Sequence, residues 1–238
     1  MRLKVNHTTT YHYDVPASYA LQQLRVRPQP NACQTILSWD MQLDGAQHHT
    51  SFRDQHGNHV DLIELDPGVP DIKITVSGEV ETHNTNGVLG RHMQMMPLWF
   101  YLRQTDLTAP GDGIHDLVKS IEAKALLDIE RLHALSEAIK DNVAYTIGST
   151  DVKTTGEQAL KSGQGVCQDH THVFISAARL LGFPARYVSG YLMMNDRIEQ
   201  DASHAWAEAH VEGLGWVGFD ISNAISPDER YVQIARGL

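Results

Sequence analysis

Residues 163–192 read GQGVCQDHTHVFISAARLLGFPARYVSGYL, and the fold of the chain turns on this stretch. Val173, Phe174, Ala177, Leu180 and Leu181 fall on one broad helical face, and Gly182 and Pro184 supply a stop. The spacing therefore predicts a helix from about 167 to 181, followed by a strand in ARYVSGYLM. Cys167 then stands on the first helical turn, just after Gly163 and Gly165. A thiol attacks as thiolate, the form that unpaired N–H groups at a helix amino end favour. The two glycines leave room for a substrate backbone near the sulfur, and the Cys167 N–H can help hold an oxyanion. The competing reading is an inert core thiol, and only partners decide between the two.

Cysteine-dependent acyl transfer needs an imidazole to carry a proton and a third group to orient the ring. The chain has 14 histidines, so candidates are many. His204, in SHAWAEAHV, opens a predicted strand after the turn Asp201-Ala202-Ser203 and lies next to Trp206, which can shield it from water. Asp220 closes the following predicted strand, GWVGFD. The turn Glu212-Gly213-Leu214-Gly215 joins these strands as a hairpin, which brings the start of one beside the end of the next. Singly, His204 reads as a strand-edge histidine and Asp220 as a turn-former before Ser222 and Asn223. As a pair, they read as partners.

Working outward, Leu117 and Ile121, then Ile129, Leu132, Leu135, Ile139 and Val143, recur at helical spacing, so the second module opens with helices. A short helix is expected at 156–161, with Thr154 and Glu157 as its capping box. Residues 1–82 read instead as short strands. Alternation runs through Leu37, Trp39, Met41 and Leu43, through Val60, Leu62 and Glu64, and through Ile72, Ile74 and Val76, with turns at His56-Gly57-Asn58 and Asp66-Pro67-Gly68. Residues 83–114 hold no sustained period and read as a linker, which leaves 115–238 as the α+β core.

A net charge of −10 without any basic run excludes nucleic acid and anionic membrane as main partners. There is no apolar leader and no span of about 18 apolar residues, so a cytoplasmic location is expected. Cys33 and Cys167 are the only cysteines, too few for a disulfide framework or a zinc knuckle. Cys33 reads as a packing or loop thiol.

With these residues in place, the second half resembles the transglutaminase-like superfamily of papain-related thiol enzymes. The matching blocks are GVCQDHTHVFISAARLLGFPARYVSGYL and HAWAEAHVEGLGWVGFDISNA, within about residues 130–230 and in the order Cys, His, Asp. The first half resembles the β-rich N-terminal region of bacterial members. The resemblance implies a papain-like core behind an all-β, sandwich-like module, with Cys167 as nucleophile, His204 as general base and acid, and Asp220 as orienter. The chain departs from the family wording at His170-Thr171, where members carry an aromatic residue and Ala, and at Asp220-Ile221-Ser222, where they carry Asp-Pro-Thr. The family also continues with a further strand segment beyond YVQIARGL, so the core is expected to be short at its end.

Other chemistry reads less well. His170 and His172 point about 200° apart on a helix, which is poor metal-ligand spacing. Asp169 and His172 read as structural groups tying the helix to neighbouring strands. MQMMPLW, residues 93–99, reads as glue between modules before it reads as a ligand strip. Tyr145 reads as a core tyrosine before an oxyanion donor, and the second donor stays unassigned. No cofactor, metal or calcium loop is expected. The expected function is acyl chemistry at amide bonds of a protein or peptide substrate. Peptide or isopeptide hydrolysis comes first, amine transfer to a glutamine side chain second, and a non-catalytic peptide-binding module is the alternative of another class. Oligomeric state is not legible.

Overall fold

The computed structural model describes residues 1–15, 18–93, 95–124, 126–194 and 203–238. Asp201 and Ala202 of the predicted turn before His204, and Gln94 of the methionine-rich stretch, lie outside the described residues. Six strands come first: β1 (Arg2–His12), β2 (Leu21–Arg27), β3 (Gln34–Asp44), β4 (Ala46–Arg53), β5 (His59–Leu65) and β6 (Asp71–Thr82). They form two antiparallel sheets, ordered β1-β6-β3 and β2-β5-β4. Leu24, Ala46, Ile63, Leu65, Ile72 and Ile74 close a core between the sheets. Two expectations on facing need correction. Leu37 is the extra residue of a β-bulge between Ile36 and Ser38, so it points to water while Ile36 turns inward. On β5 the buried apolar set is Val60, Ile63 and Leu65, not Val60-Leu62-Glu64. Asp61 shares the Ile63 face, buried but satisfied by Arg27 and Ser51, and this carboxylate masks the apolar period.

The other elements are β7 (Val88–Gly90), α1 (Asp112–Glu122), α2 (Asp128–Asn142), β8 (Ala144–Tyr145), α3 (Gly156–Ser162), β9 (Gln164–Gly165), α4 (Cys167–Leu180), β10 (Ala185–Leu192), β11 (His204–Val211), β12 (Gly215–Phe219) and β13 (Tyr231–Gly237). The order β13-β10-β11-β12-β7 makes one five-stranded antiparallel sheet, so residues 88–90 of the expected linker supply its edge strand. Every residue from Asp169 to Arg179 is buried, which makes α4 the central helix. Val173, Phe174 and Ala177 of α4 meet Ala207, Ala209, Val217 and Phe219 of the sheet, while Leu132, Leu135 and Ile139 of α2 cover them. Fully burying each such leucine or isoleucine contributes about 1.5–3 kcal/mol. The fold class is α+β, as the spacing predicts.

The capping box of α3 forms one residue later than expected, between Thr155 and Gln158. Glu157 instead turns away and accepts the N–H groups of Gly111, Gly113 and Ile114, capping the start of α1 across space. The two modules meet along β13. Val232 and Ile234 pack on Val5 and Val80, and Gln233 exchanges hydrogen bonds with Gln34 at 2.8 and 2.9 Å.

Candidate active site

The β11–β12 register pairs Ala207 with Phe219, so the hairpin carries His204 to the exit of Phe219. There His204 Nε2 lies 2.6 Å from Asp220 Oδ2. Asp220 is fully buried, and Tyr231 Oη and Asn223 Nδ2 donate to the same oxygen at 2.6 and 2.7 Å. Burial drives the carboxyl pKa up, but the hydrogen bonds from His204, Tyr231 and Asn223 outweigh it and hold Asp220 below the usual carboxylate range. The His204 side chain is 14% exposed, stacked beside Trp206. Burial pulls its pKa down, yet Asp220 and Cys167, by hydrogen bond and charge, push it up to about 9. With Nε2 committed to the carboxylate, Nδ1 is the ring nitrogen left for the thiol.

Cys167 is half-buried at the first position of α4, where its N–H has no partner within the helix. Asp169 shapes this entry: Oδ2 accepts the Val166 N–H at 2.7 Å and the Thr150 hydroxyl at 2.6 Å. That supports the structural reading of Asp169. It also changes the reading of Gly165, where a Cβ would stand 2.7 Å from Asp169 Cβ. Gly165 therefore makes room for the carboxylate, while Gly163, at φ 68°, ends α3 in the left-handed region.

Tyr145 is not a core residue: it is 53% exposed. Strands β8 and β9 pair in parallel, with Ala144 N and Thr146 N donating to Gly163 O and Gly165 O at 2.8 Å, which sets Tyr145 beside the approach to Cys167. Burial and then the charge and hydrogen bonding of Cys167 raise the phenol pKa. His170 is buried, with Nδ1 against Ser222 Oγ at 2.8 Å and Nε2 donating to Val143 O at 2.9 Å. The two positions that depart from the family wording therefore bond to each other. His172 is buried against Tyr187, and burial pushes its pKa down to about 4. Cys33, far from Cys167 in sequence, faces Thr85 Oγ1 at 3.0 Å and lines a small cavity with Trp206 and Tyr231, and burial pushes its thiol pKa up. Among the described residues no cluster of three His, Cys, Asp or Glu side chains can hold a metal ion.

Sequence reasoning missed Tyr231 and Asn223 as holders of Asp220. Asn223 had a local signal, three residues beyond Asp220, but Tyr231 reaches it only because β13 returns to the sheet edge.

Residues 115–221 match the family model described as the transglutaminase-like superfamily, and residues 3–81 match that of the bacterial transglutaminase-like N-terminal region. An uncharacterised protein of Mycobacterium leprae is 28% identical over 99% of this chain and 88% of its own length. An uncharacterised protein of Mycobacterium tuberculosis is 27% identical over 99% of this chain and 83% of its own. The crystal structure of a Cytophaga hutchinsonii protein described as a candidate cysteine protease superimposes with a TM-score of 0.76 at 23% identity, covering 100% of this chain and 81% of that one. The last likeness is one of fold.

Proposed function

Because the chain belongs to the transglutaminase-like superfamily through residues 115–221, we propose that it performs thiol acyl chemistry at amide bonds, with Cys167, His204 and Asp220 as the catalytic groups. The observation that carries this reading is the 2.6 Å contact of His204 Nε2 with buried Asp220, on an imidazole that also interacts with Cys167.

In this reading His204 takes the thiol proton, and Cys167 Sγ attacks the carbonyl carbon. A C–S bond forms while the carbonyl π electrons move onto oxygen, and the Cys167 N–H donates a hydrogen bond to the resulting oxyanion. Tyr145 Oη is the second donor to that oxygen. The oxyanion collapses, the C–N bond breaks, and His204 hands its proton to the leaving amine. Water then attacks the thioester with His204 as base, and the C–S bond breaks to return the thiol. Asp220 keeps its negative charge throughout and stabilises the imidazolium. Hydrolysis is preferred to amine transfer because the half-exposed Tyr145 leaves the sulfur side of the site open to water.

The test offers a glutamine-containing peptide with and without a primary amine and weighs the products. A shortened or deamidated peptide formed by the wild type and not by Cys167→Ala supports hydrolysis, and an amine adduct moves the reading to transfer. Activity that survives Cys167→Ala removes the thiol from the chemistry. Iodoacetamide alkylation that proceeds equally at Cys167 and Cys33 across pH favours a peptide-binding module.

A further inference from the structure

A cavity of about 430 Å³ opens between the β module and the back of the five-stranded sheet. Four arginines line it, Arg53, Arg91, Arg186 and Arg236, in a chain whose net charge is −10. Among the described residues, Asp54 is the one carboxylate in the lining. Its oxygens are taken by Arg25 at 2.8 Å, by Asn58 Nδ2 at 3.0 Å, and by the N–H groups of His56 and Asn58 at 2.9 Å. Glu208 meets the charge of Arg186 at 2.6 Å. Among the described residues no carboxylate lies within ion-pair distance of Arg53, Arg91 or Arg236. Arg236 Nε donates to His56 O at 3.0 Å, which leaves the outer N–H groups of its fork for another acceptor. Burial and then the nearby charge of Arg186 disfavour the protonated Arg236, a cost that an anion beside it would offset.

The mouth of the cavity adds a second, independent observation. Met93 and Met95, expected to glue the modules together, are 85% and 84% exposed and line this same cavity. Flexible thioethers left in water beside the exposed guanidinium groups of Arg53 and Arg91 suit a ligand with both an apolar body and charged ends. A guanidinium fork matches the paired oxygens of carboxylate and phosphate groups, and three such forks call for more than one negative charge.

We propose that the cavity binds a small organic dianion, its charged groups held by Arg53, Arg91 and Arg236 and its apolar part covered by Met93 and Met95. Cys167, His204 and Asp220 are not among its lining residues, and the proposal stands whether or not the acyl chemistry holds.

Thermal unfolding of the full chain tests it, with glutarate, glycerol 3-phosphate, inorganic phosphate or sodium chloride added at matched ionic strength. At a hundred times its Kd, an organic dianion is expected to raise Tm by about 5–10 °C, and the better of the two tells carboxylate from phosphate. Arg53 and Arg91 are exposed side chains, so R53Q and R91Q keep the unliganded Tm; each is expected to weaken binding about tenfold or more. M93S/M95S weakens binding of the organic dianion and leaves inorganic phosphate unaffected. The proposal fails if neither organic dianion exceeds sodium chloride, or if the shift persists in R53Q/R91Q. Inorganic phosphate matching glycerol 3-phosphate overturns the organic part.

Discussion

Two ion pairs stand on one face of β11, four residues apart, and they differ in exposure and in the cation each carboxylate meets. His204 and Glu208 point the same way because strand side chains alternate. His204 sits at the strand's start, its carboxylate partner fully buried and its own ring 14% open. Glu208 sits inside the sheet, paired with Arg186 where both side chains are 1% exposed. The Arg186 guanidinium lies 3.9 Å above the Trp216 ring, and Gln233 Nε2 donates to the other Glu208 oxygen at 3.0 Å. A guanidinium keeps its proton at any working pH, so the inner pair can only hold the sheet together. An imidazole at the strand end can gain and lose one. The cation therefore separates a pair that can exchange a proton from one that fixes structure, although both stand on a single strand.

Changing each carboxylate in turn should separate the two pairs most. Asp220→Asn should keep the fold and cut turnover by about 10²–10⁴-fold, whereas Glu208→Gln should change turnover little; initial rates at saturating peptide check both. The next largest effect is on stability. Glu208→Ala leaves Arg186 charged and sealed, and should cost about 3–5 kcal/mol in urea denaturation, while replacing both members with apolar residues should cost far less.

Titration sharpens the contrast from the histidine side. His172 falls from its ordinary 6.5 to about 4 on folding, so the folded state favours its neutral ring. Its contribution is complete above 6.5 and declines as pH falls from there toward 4, by about 3 kcal/mol in all. His204 rises from 6.5 to about 9 and does the reverse, contributing fully below 6.5 and losing that contribution as pH climbs through 9. Stability profiles of His172→Phe and His204→Phe should flatten the acid and alkaline limbs respectively. The smallest expected effect concerns His170 and Ser222. A double-mutant cycle through His170→Phe and Ser222→Ala should show a coupling of about 0.5–1.5 kcal/mol, with turnover of the double variant near that of the wild type.

Much of the site was legible because its signals are local. Hairpin logic alone brings His204 to Asp220, and helical period alone places Cys167 on a first turn. The features that escaped are those made by distant segments. Tyr231 reaches Asp220 from β13, Glu157 caps α1 rather than its own helix, and β7 joins a sheet otherwise built more than 90 residues later. His170 and Ser222 each looked like a lone departure from a pattern, since their contact depends on how α4 meets the turn after β12. Leu37 failed for another reason, because a bulge inserts one residue and shifts the alternation that a strand reading assumes.

The short parallel pairing of β8 with β9 has a consequence for how this architecture can vary. Those hydrogen bonds clamp both ends of residues 146–163 before the chain enters α4, so the loop between them is closed at its base. An insertion at Ile147 or Gly148, exposed and ahead of the Thr150 hydroxyl that holds Asp169, would lengthen the excursion without pulling on the sulfur. New recognition surface can thus be grafted beside Cys167 while Cys167 stays where it is.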